Sequence, residues 1–294
     1  MQDILRRDAN VFSGKMAFLS VQTAFPSSHL IMQDQTLFSS KRQILFFVLS
    51  GLFITNALVA EIIGGKIFSV EGVLGMNPAN IPTPWGDKWS FNQAAGALNW
   101  PIVFIIGDMI NEYFGRKGVR WLSFLTAGLI TYSFFIIYTA TTLPPAQFWM
   151  DVNKGTNNFN IDFAYKTIFR QGLGIIIGSI TAFLLAQFLD VTVFQYLRKH
   201  TGHKHIWIRA TGSTLVSQLI DSFVVVFVAF YIFSNWSAKQ ALSVALNNYL
   251  YKFIISILMI PVLYVVHYLI DRWLGEDNAR KIADDAATEM PVSL

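Results

Sequence analysis

The chain has 294 residues, of which 53% are hydrophobic and 15% aromatic, while only 14% carry a formal charge. This composition excludes an ordinary soluble protein and predicts that lipid is the main solvent. The net charge of +4 would suit a nucleic-acid-binding protein, but the basic residues cluster in alternate loops, as they do on one side of a membrane. The absence of cysteine excludes disulfides, thiolate nucleophiles, zinc ribbons and iron–sulfur clusters.

Residues 1–40 are polar and lack periodicity, so we interpret them as a cytoplasmic N-terminal extension with a short interfacial helix near residues 11–25. No cleavable signal peptide precedes the first apolar run. A bilayer core about 30 Å thick requires roughly 20 apolar residues in a helix. Six such runs predict transmembrane helices, namely 44–65, 97–114, 121–143, 172–196, 210–233 and 250–270. The predicted fold is an all-α membrane protein with a six-helix transmembrane domain at 41–275 and a polar cytoplasmic tail at 276–294.

The loops predict which way the bundle faces. Basic residues lie before helix one and after helices two, four and six, namely Lys41, Arg42, Arg116, Lys117, Arg120, Arg198, Lys199, Lys204, Arg209, Arg272, Arg280 and Lys281. By the positive-inside rule both termini are cytoplasmic, which agrees with an even helix count. Between helices one and two, Pro78, Pro82 and Pro84 predict an ordered extracytoplasmic loop or short hairpin, which either covers the bundle as a lid or anchors it at the interface.

Ionisable side chains inside the predicted helices mark candidate functional positions. Each costs on the order of 2.5–3.5 kcal/mol in hydrocarbon, so each requires a partner or a function. The charged candidates are Glu61, Asp108, Glu112, Asp190, Asp221 and Lys252, and their uncharged companions include Asn56, Asn111, Gln187, Ser213 and Gln218.

Two polar stripes follow helical spacing. On helix two, Asp108, Asn111 and Glu112 fall on one face that points into the bundle, together with Arg116. We interpret Asp108 as functional and Glu112 as a boundary residue paired with Arg116. On helix five, Ser213 and Asp221 belong to a stripe that predicts a water-lined or ligand-lined face, while interhelical hydrogen bonding alone also explains its serines.

Two further positions admit two interpretations each. Lys252, placed just inside the outer end of helix six, either snorkels to the interface or neutralises Asp221 or Glu61. Asp190, one turn after Gln187, either pairs with a basic loop residue or contacts a substrate.

Other patterns do not predict chemistry. The glycines at 172, 174 and 178 lack the strand that a dinucleotide fingerprint requires, and Gly174 with Gly178 fits close helix packing, which provides a face for a homodimer. The histidines at 200, 203 and 205 have no carboxylate or cysteine support for a metal. We find no nucleophile or metal motif of an enzyme, so we predict no enzyme, no cofactor and no metal site.

Several motifs together resemble the queuosine precursor transporters, also called the vitamin-uptake-like transporter family. The matching stretches are Thr55-Asn56, Trp100-Pro101, Gly107-Asp108, Phe114-Gly115, 187–194, Ser213-Thr-Leu215 with Gln218 and Asp221, and Tyr249 to Lys252 through Pro261. The chain departs from the family in its long polar N-terminus and at Glu112, where members can carry a basic residue.

The resemblance implies a multi-pass transporter in the cell inner membrane that imports 7-cyano- and 7-aminomethyl-7-deazaguanine for transfer RNA modification. Asp108 or Asp221 would accept the adjacent N–H donors of the purine-like edge, and Asn56 and Gln218 would bind its carbonyl and ring nitrogen. The predicted binding set also includes Asn111, Ser213 and Lys252, and the predicted coupling or structural set is Glu61, Glu112, Gln187 and Asp190. A substrate-capture subunit of an ATPase-energised importer, or a transporter of another small heterocycle or vitamin, are the alternatives, and either proton coupling or facilitated diffusion fits the residues.

Overall fold

The structure is a computed structural model that describes residues 40–82, 88–154, 159–170, 173–201, 205–233 and 235–288. The predicted N-terminal extension and its interfacial helix near residues 11–25 lie outside this part of the chain. Within it, ten α-helices are α1 Lys41–Ile63, α2 Val70–Val73, α3 Trp100–Thr142, α4 Gln147–Val152, α5 Ile161–Phe169, α6 Leu173–Thr201, α7 Ile206–Val226, α8 Ala238–Leu258, α9 Ile260–Leu274 and α10 Glu276–Thr288. A 3₁₀ turn at Ala95–Leu98 precedes α3, and a π-helical segment at Phe227–Ile232 follows α7.

Five helical segments in the described residues are long and apolar enough to cross a membrane. They are Lys41–Ile63, Trp100–Thr142, Ile161–Thr201, Ile206–Ile232 and Ala238–Leu258. Many large apolar side chains on these helices are exposed, as lipid contact requires. The protein is therefore a predominantly α-helical membrane protein, as the composition predicts.

Helix α3 contains a sharp reversal at Gly115. Its 43 residues would extend about 64 Å, twice the thickness of a bilayer core. Phe46 of α1 lies beside Phe114, just before Gly115. On both sides of Gly115, α3 contacts residues of α1 that come later in the chain than Phe46. Before the turn Gly107 lies beside Phe53, and after it Ile130 packs with Ala57. The two halves of α3 therefore run along α1 in opposite directions, which separates the predicted second and third helices.

The backbone conformation at Gly115 explains why glycine occupies this turn. Its φ of 64° and ψ of −168° lie in a region that is essentially restricted to glycine. A Cβ at this position would also stand 2.6 Å from the carbonyl oxygen of Ala286 in α10. The turn is thus tight both in its own backbone and against the C-terminal helix.

Gly115→Ala is expected to lower the free energy of unfolding by about 1–3 kcal/mol or more, because the alanine must adopt a strained backbone or displace α10. Thermal unfolding in detergent measures the effect. Gly128→Ala is the matched control in the same helix, because a Cβ there meets no atom within 4 Å, and it should be neutral or slightly stabilising. Equal melting temperatures for the two variants would contradict this explanation of the turn.

Helices α6 and α7 form the most extensive helix pair of the bundle. Near the beginning of α6, Gly174 and Gly178 let the π-helical end of α7 approach closely, against Phe233 and Ala229 respectively. The close packing predicted for these glycines therefore occurs within the chain, and the homodimer prediction loses that particular basis.

The predicted sixth helix differs from the structure at both ends. Helix α8 begins at Ala238 rather than near residue 250, after a capping box in which Ser237 and Gln240 exchange hydrogen bonds. It ends at Leu258, and α9 follows with Pro261 in its first turn, where a missing N–H interrupts the helical ladder. The prediction failed at the start because Asn247 and Asn248 reduce the hydropathy of the span.

Residues 276–288, the described part of the predicted polar tail, form helix α10. In α10, Ala279, Ile282, Ala283 and Ala286 are buried, at spacings of three to four residues that define one apolar face. This face packs against α3, so α10 closes the end of the bundle at the Gly115 turn.

Two short antiparallel ladders connect α1 to α3. Strand β1 (Ile67–Ser69) pairs with β4 (Asn92–Ala94), and β2 (Ile81–Pro82) pairs with β3 (Lys88–Trp89). The following 3₁₀ turn contacts the end of α1 at Gly96, where any Cβ would collide with the carbonyl oxygen of Ala60. The connecting segment is thereby fixed against the end of α1.

Candidate functional site

A cavity of about 860 Å³ lies among α1, the 3₁₀ turn, α6, α7 and α8, next to the connecting segment. This volume is in the range of small-molecule binding sites, roughly 300–1,000 Å³. Its walls combine charged, amide and aromatic side chains, including Glu61, Lys88, Gln93, Trp100, Ser179, Asp221, Phe230, Trp236, Gln240, Ser243, Asn247, Asn248 and Lys252. In a membrane protein, charged and amide side chains in the wall of an interior cavity of this size indicate a path or site for a polar solute.

An ion pair between Asp221 and Lys252 forms part of the cavity wall. The Lys252 ammonium donates to Oδ2 of Asp221, and the two side chains are 13% and 15% exposed. Because α8 begins at Ala238, Lys252 lies well inside the helix, and its predicted position at the outer end of helix six is wrong. Of the two interpretations for Lys252, the geometry matches the neutralisation of Asp221.

Glu61 lies across the cavity from this pair, near the end of α1. It is 9% exposed and its Oε1 accepts a hydrogen bond from the Ser179 hydroxyl of α6. Asp221 and Lys252 lie within electrostatic range of its carboxyl group. The cavity therefore brings together two carboxylates and the Lys252 ammonium from three helices, and Lys88 of the connecting segment also lines it.

Amide groups on the cavity wall have unused hydrogen-bonding capacity. Nε2 of Gln93 and Oδ1 of Asn247 are buried and have no hydrogen-bond partner among the described residues. A buried amide without a partner costs on the order of 1–3 kcal/mol. A polar ligand in the cavity would offset that cost by pairing with them.

Aromatic side chains supply flat apolar surface around the same cavity. Phe230 and Trp236 stack with ring centroids 4.4 Å apart and planes 23° apart. Trp100 stands on another part of the wall and contacts Phe104 and Phe183. Such faces stack on planar heterocycles.

Glu71 organises the connecting segment beside the cavity. Its Oε1 accepts from the backbone N–H groups of Phe91 (2.8 Å) and Ala79 (3.2 Å), and its Oε2 accepts from the Ser69 hydroxyl (2.9 Å). Chiefly through the Phe91 hydrogen bond, these contacts lower the pKa of Glu71 to about 2. Since a lowered pKa stabilises the fold above the ordinary pKa of the carboxyl group, this clamp is intact at neutral pH and weakens only as the pH falls towards 2.

The structure separates the predicted binding residues into two groups. Asp221 and Lys252 line the large cavity, and Gln218, Gln187 and Asp190 line a smaller one that reaches Asp221. Asn56 lies outside both, where its Nδ2 donates to the carbonyl of Leu52.

The remaining predicted residues lie closer to the Gly115 turn. Ser213 is fully buried and donates to the Ala210 carbonyl. Oδ1 of Asn111 accepts from Nε2 of Gln195 at 2.7 Å. Asp108 is 5% exposed and lines a separate small cavity. Asp108, Asn111 and Glu112 all face the interior of the bundle, as their spacing predicts.

Glu112 pairs with two distant arginines instead of the nearby Arg116. Its carboxylate receives Nε and Nη2 of Arg209 at 3.0 and 2.7 Å, and Nη2 of Arg198 lies 3.5 Å away. Arg198 also donates to the carbonyl oxygens of Glu112 and Ala283. Arg116 lies over the ring of Phe188. The predicted pairing with Arg116 is therefore wrong, although a structural role for Glu112 fits its surroundings.

Sequence reasoning missed Gln93, Ser179, Asn247, Phe230 and Trp236 as cavity residues. A usable signal was present in α8, where Gln240, Ser243 and Asn247 recur at spacings of three and four residues on one face, with Asn248 and Lys252 beside them. Gln93 had no such signal, because it reaches the cavity through the β1–β4 pairing.

A multi-pass helical bundle with charged and amide groups in a cavity of ligand size is typical of a membrane transporter for a small solute. A family model described as putative vitamin uptake transporter matches residues 94–266. The chain belongs to this family, which confirms the resemblance found in its motifs.

Named relatives agree with this assignment. The chain is similar to the probable queuosine precursor transporter of Bacillus subtilis (strain 168), with 31% identity over 189 residues that cover 63% of this chain and 76% of the relative. It is 28% identical to the queuosine precursor transporter of Escherichia coli (strain K12) over 180 residues, 60% of this chain and 73% of the relative. A probable queuosine precursor transporter of Haemophilus influenzae is 26% identical over 61% of this chain and 70% of the relative. No solved structure matches the chain.

Proposed function

We propose that the protein imports the queuosine precursors 7-cyano- and 7-aminomethyl-7-deazaguanine across the cell inner membrane. The observation that carries this proposal is the cavity of about 860 Å³, in which carboxylate, ammonium, amide and aromatic groups meet. The names of three relatives supply the substrate class.

The proposed topology has six membrane passes and both termini in the cytoplasm. The reversal at Gly115 divides α3 into two passes, which turns the five candidate segments into six. The basic residues near Gly115 and in the last turn of α6 then lie on the cytoplasmic side, as the positive-inside rule requires. In this orientation the β1–β4 ladder and the large cavity face the outer side of the membrane.

The cavity groups complement a 7-deazaguanine. Its pyrimidine edge presents two adjacent N–H donors next to a carbonyl oxygen, and a carboxylate accepts such a donor pair in a bidentate manner. We assign this role to Glu61 and the carbonyl contact to Lys252, whose charge Asp221 balances. Gln93 and Asn247 contribute amide contacts, and Trp236 or Trp100 stacks on the bicyclic ring.

Uptake by the purified protein in proteoliposomes tests this proposal. Labelled 7-cyano-7-deazaguanine should enter saturably without any added ATPase, and unlabelled 7-aminomethyl-7-deazaguanine should compete. Glu61→Gln should reduce uptake, since an amide presents one acceptor and a mismatched donor where the carboxylate presents two acceptors. Glu276→Gln, at an exposed position of α10, is the matched control and should transport normally.

Absence of uptake of both precursors by the wild-type protein would contradict the proposed function. Uptake that appears only after an ATPase is added would instead favour a substrate-capture subunit. Competition by unrelated vitamins as effective as that by deazaguanines would contradict the substrate class.

A further inference from the structure

A second, water-sized cavity extends from Asp221 towards the Gly115 end of the bundle. Its volume is about 20 Å³, enough for a single water molecule. Gln187, Asp190, Ser217 and Gln218 line it together with Asp221, which also lines the large cavity. Asp221 thus stands between the large cavity and an interior polar compartment.

One buried acceptor in this compartment lacks a donor. Asp190 receives a hydrogen bond from the Ser217 hydroxyl at 3.2 Å on Oδ1, and the Ser213 hydroxyl also interacts with its carboxyl group. Gln218 is 5% exposed, and its Oε1 has no hydrogen-bond donor among the described residues. Gln218 lines the cavity together with Asp190, and a protonated carboxyl group there has an O–H to donate, which an ionised carboxylate lacks.

Asp108 is a second buried carboxylate near this compartment. Its Oδ1 is buried and likewise lacks a donor in the part of the chain that the structure describes. It lines another cavity of about 20 Å³, and Thr214 belongs to the walls of both small cavities. Asp190 lies within electrostatic range of Asp108, so two carboxylates from α3 and α6 face the same interior region.

The other charged groups that face this region are already balanced. On α3 and α7, Glu112 pairs with Arg209, and on α7 and α8, Asp221 pairs with Lys252. Helices α8 and α9 present Ser256 and apolar residues to the cavity beside Asp108. Arg209 also lies within electrostatic range of Asp108, but its guanidinium is hydrogen-bonded to Glu112. Asp108 and Asp190 therefore form no salt bridge of their own among the described residues.

We propose that Asp108 and Asp190 form a proton-binding site that couples substrate import to proton entry. A proton from the outer side forms an O–H bond on one carboxylate, which then donates to the vacant acceptors, and the same O–H bond breaks when the proton leaves to the cytoplasm. The site binds H⁺ as its ligand. The proposal rests on the import function proposed above and adds its energy source.

The geometry links the proton to the substrate cavity through α7. Ser217, which donates to Asp190, precedes Asp221 by four residues on the same helix face. When Asp190 is protonated, the Ser217 hydroxyl faces a neutral carboxyl group instead of a carboxylate. This change occurs one helical turn from the Asp221–Lys252 ion pair in the substrate cavity. Occupancy of the two sites is thereby coupled through one rigid element.

Proteoliposomes that allow both net uptake and substrate exchange test the site. With an imposed inward proton gradient, the wild-type protein should accumulate labelled precursor, by up to about tenfold for each pH unit with one proton per substrate. Pyranine trapped inside should report acidification when substrate is added. Asp190→Asn and Asp108→Asn should lose accumulation and acidification, yet keep exchange of labelled for unlabelled substrate at an equal rate across pH. Asp277→Asn, at an exposed position of α10, is the matched carboxylate control.

Each remaining outcome overturns the proton site. Accumulation driven by a sodium gradient at constant pH would assign the cation differently. Wild-type uptake that only equilibrates, whatever the gradient, would show facilitated diffusion. Normal accumulation by both variants, or loss of exchange along with uptake in both, would remove these carboxylates from coupling. Absence of exchange in the wild-type protein would contradict the import function itself, and the proton site with it.

Discussion

Asp221→Asn is expected to reduce uptake of 7-deazaguanines by about 30-fold or more, because it leaves the Lys252 ammonium without its counter-charge in the cavity wall. Removing one partner of a hydrogen-bonded charge pair in a binding site costs on the order of 2–5 kcal/mol, and every 1.4 kcal/mol is about tenfold. The same substitution should lower the free energy of unfolding by about 3 kcal/mol, towards the low end for buried pairs, since the cavity admits water. Initial uptake rates and thermal unfolding in detergent measure the two effects.

A double variant separates stability from binding. Asp221→Asn combined with Lys252→Met removes both charges, so the unfolding free energy should recover most of the loss seen in the single variant. Uptake should remain low, because the cavity no longer offers the Lys252 ammonium to the substrate carbonyl. Recovery of uptake together with stability would show that the pair is structural and would remove Lys252 from the binding site.

Glu112→Gln should strongly destabilise the bundle. It removes the carboxylate that is hydrogen-bonded to Arg209 and lies 3.5 Å from Arg198, two arginines whose side chains are 1% and 6% exposed. Breaking a buried ion pair in this way costs about 3–5 kcal/mol, and unfolding by heat or denaturant measures it. Because Arg198 also binds the Ala283 carbonyl, α10 should become more susceptible to limited proteolysis.

Arg116→Gln is the informative control for this network. The residue is four positions from Glu112, which is the spacing of a helical ion pair, yet its guanidinium lies over Phe188. Its substitution should change stability by no more than about 1 kcal/mol, the range of an exposed cation–π contact. A loss equal to that of Glu112→Gln would mean that Glu112 depends on its local neighbour and not on α6 and α7.

The sequence was sufficient for the class of fold and for part of the site, because both depend on single-residue signals. Apolar runs of membrane length identify the spans, and a charge within such a run is conspicuous, which is how Glu61, Asp221 and Lys252 were found. Asn247 and Gln93 are neutral and do not stand out by that criterion. Asn247 also lowers the local hydropathy, so the predicted last span begins after it, at residue 250.

Long-range partners could not be predicted from local spacing. Glu112 and Arg209 are separated by 97 positions, and the nearer Arg116 satisfied the helical rule. The packing of α10 against α3 could not be predicted either, since its sequence is polar in composition. Its alanines are recognisable as a buried face only once the Gly115 turn is placed beside them. The presence of glycine at 115 gave no indication of a chain reversal until its neighbours on α1 were known.

The short first half of α3 has a consequence for the membrane itself. From Trp100 to Phe114 the helix extends only about 22 Å, less than the hydrocarbon thickness of about 30 Å. In the proposed topology the preceding 3₁₀ turn and the end of β4 therefore lie below the membrane surface. Irregular backbone is tolerated at that depth only where it is enclosed by protein or borders water. The proposed topology thus requires a hydrated funnel on this side, and the insulating layer that a solute must traverse is then thinner than the membrane around it.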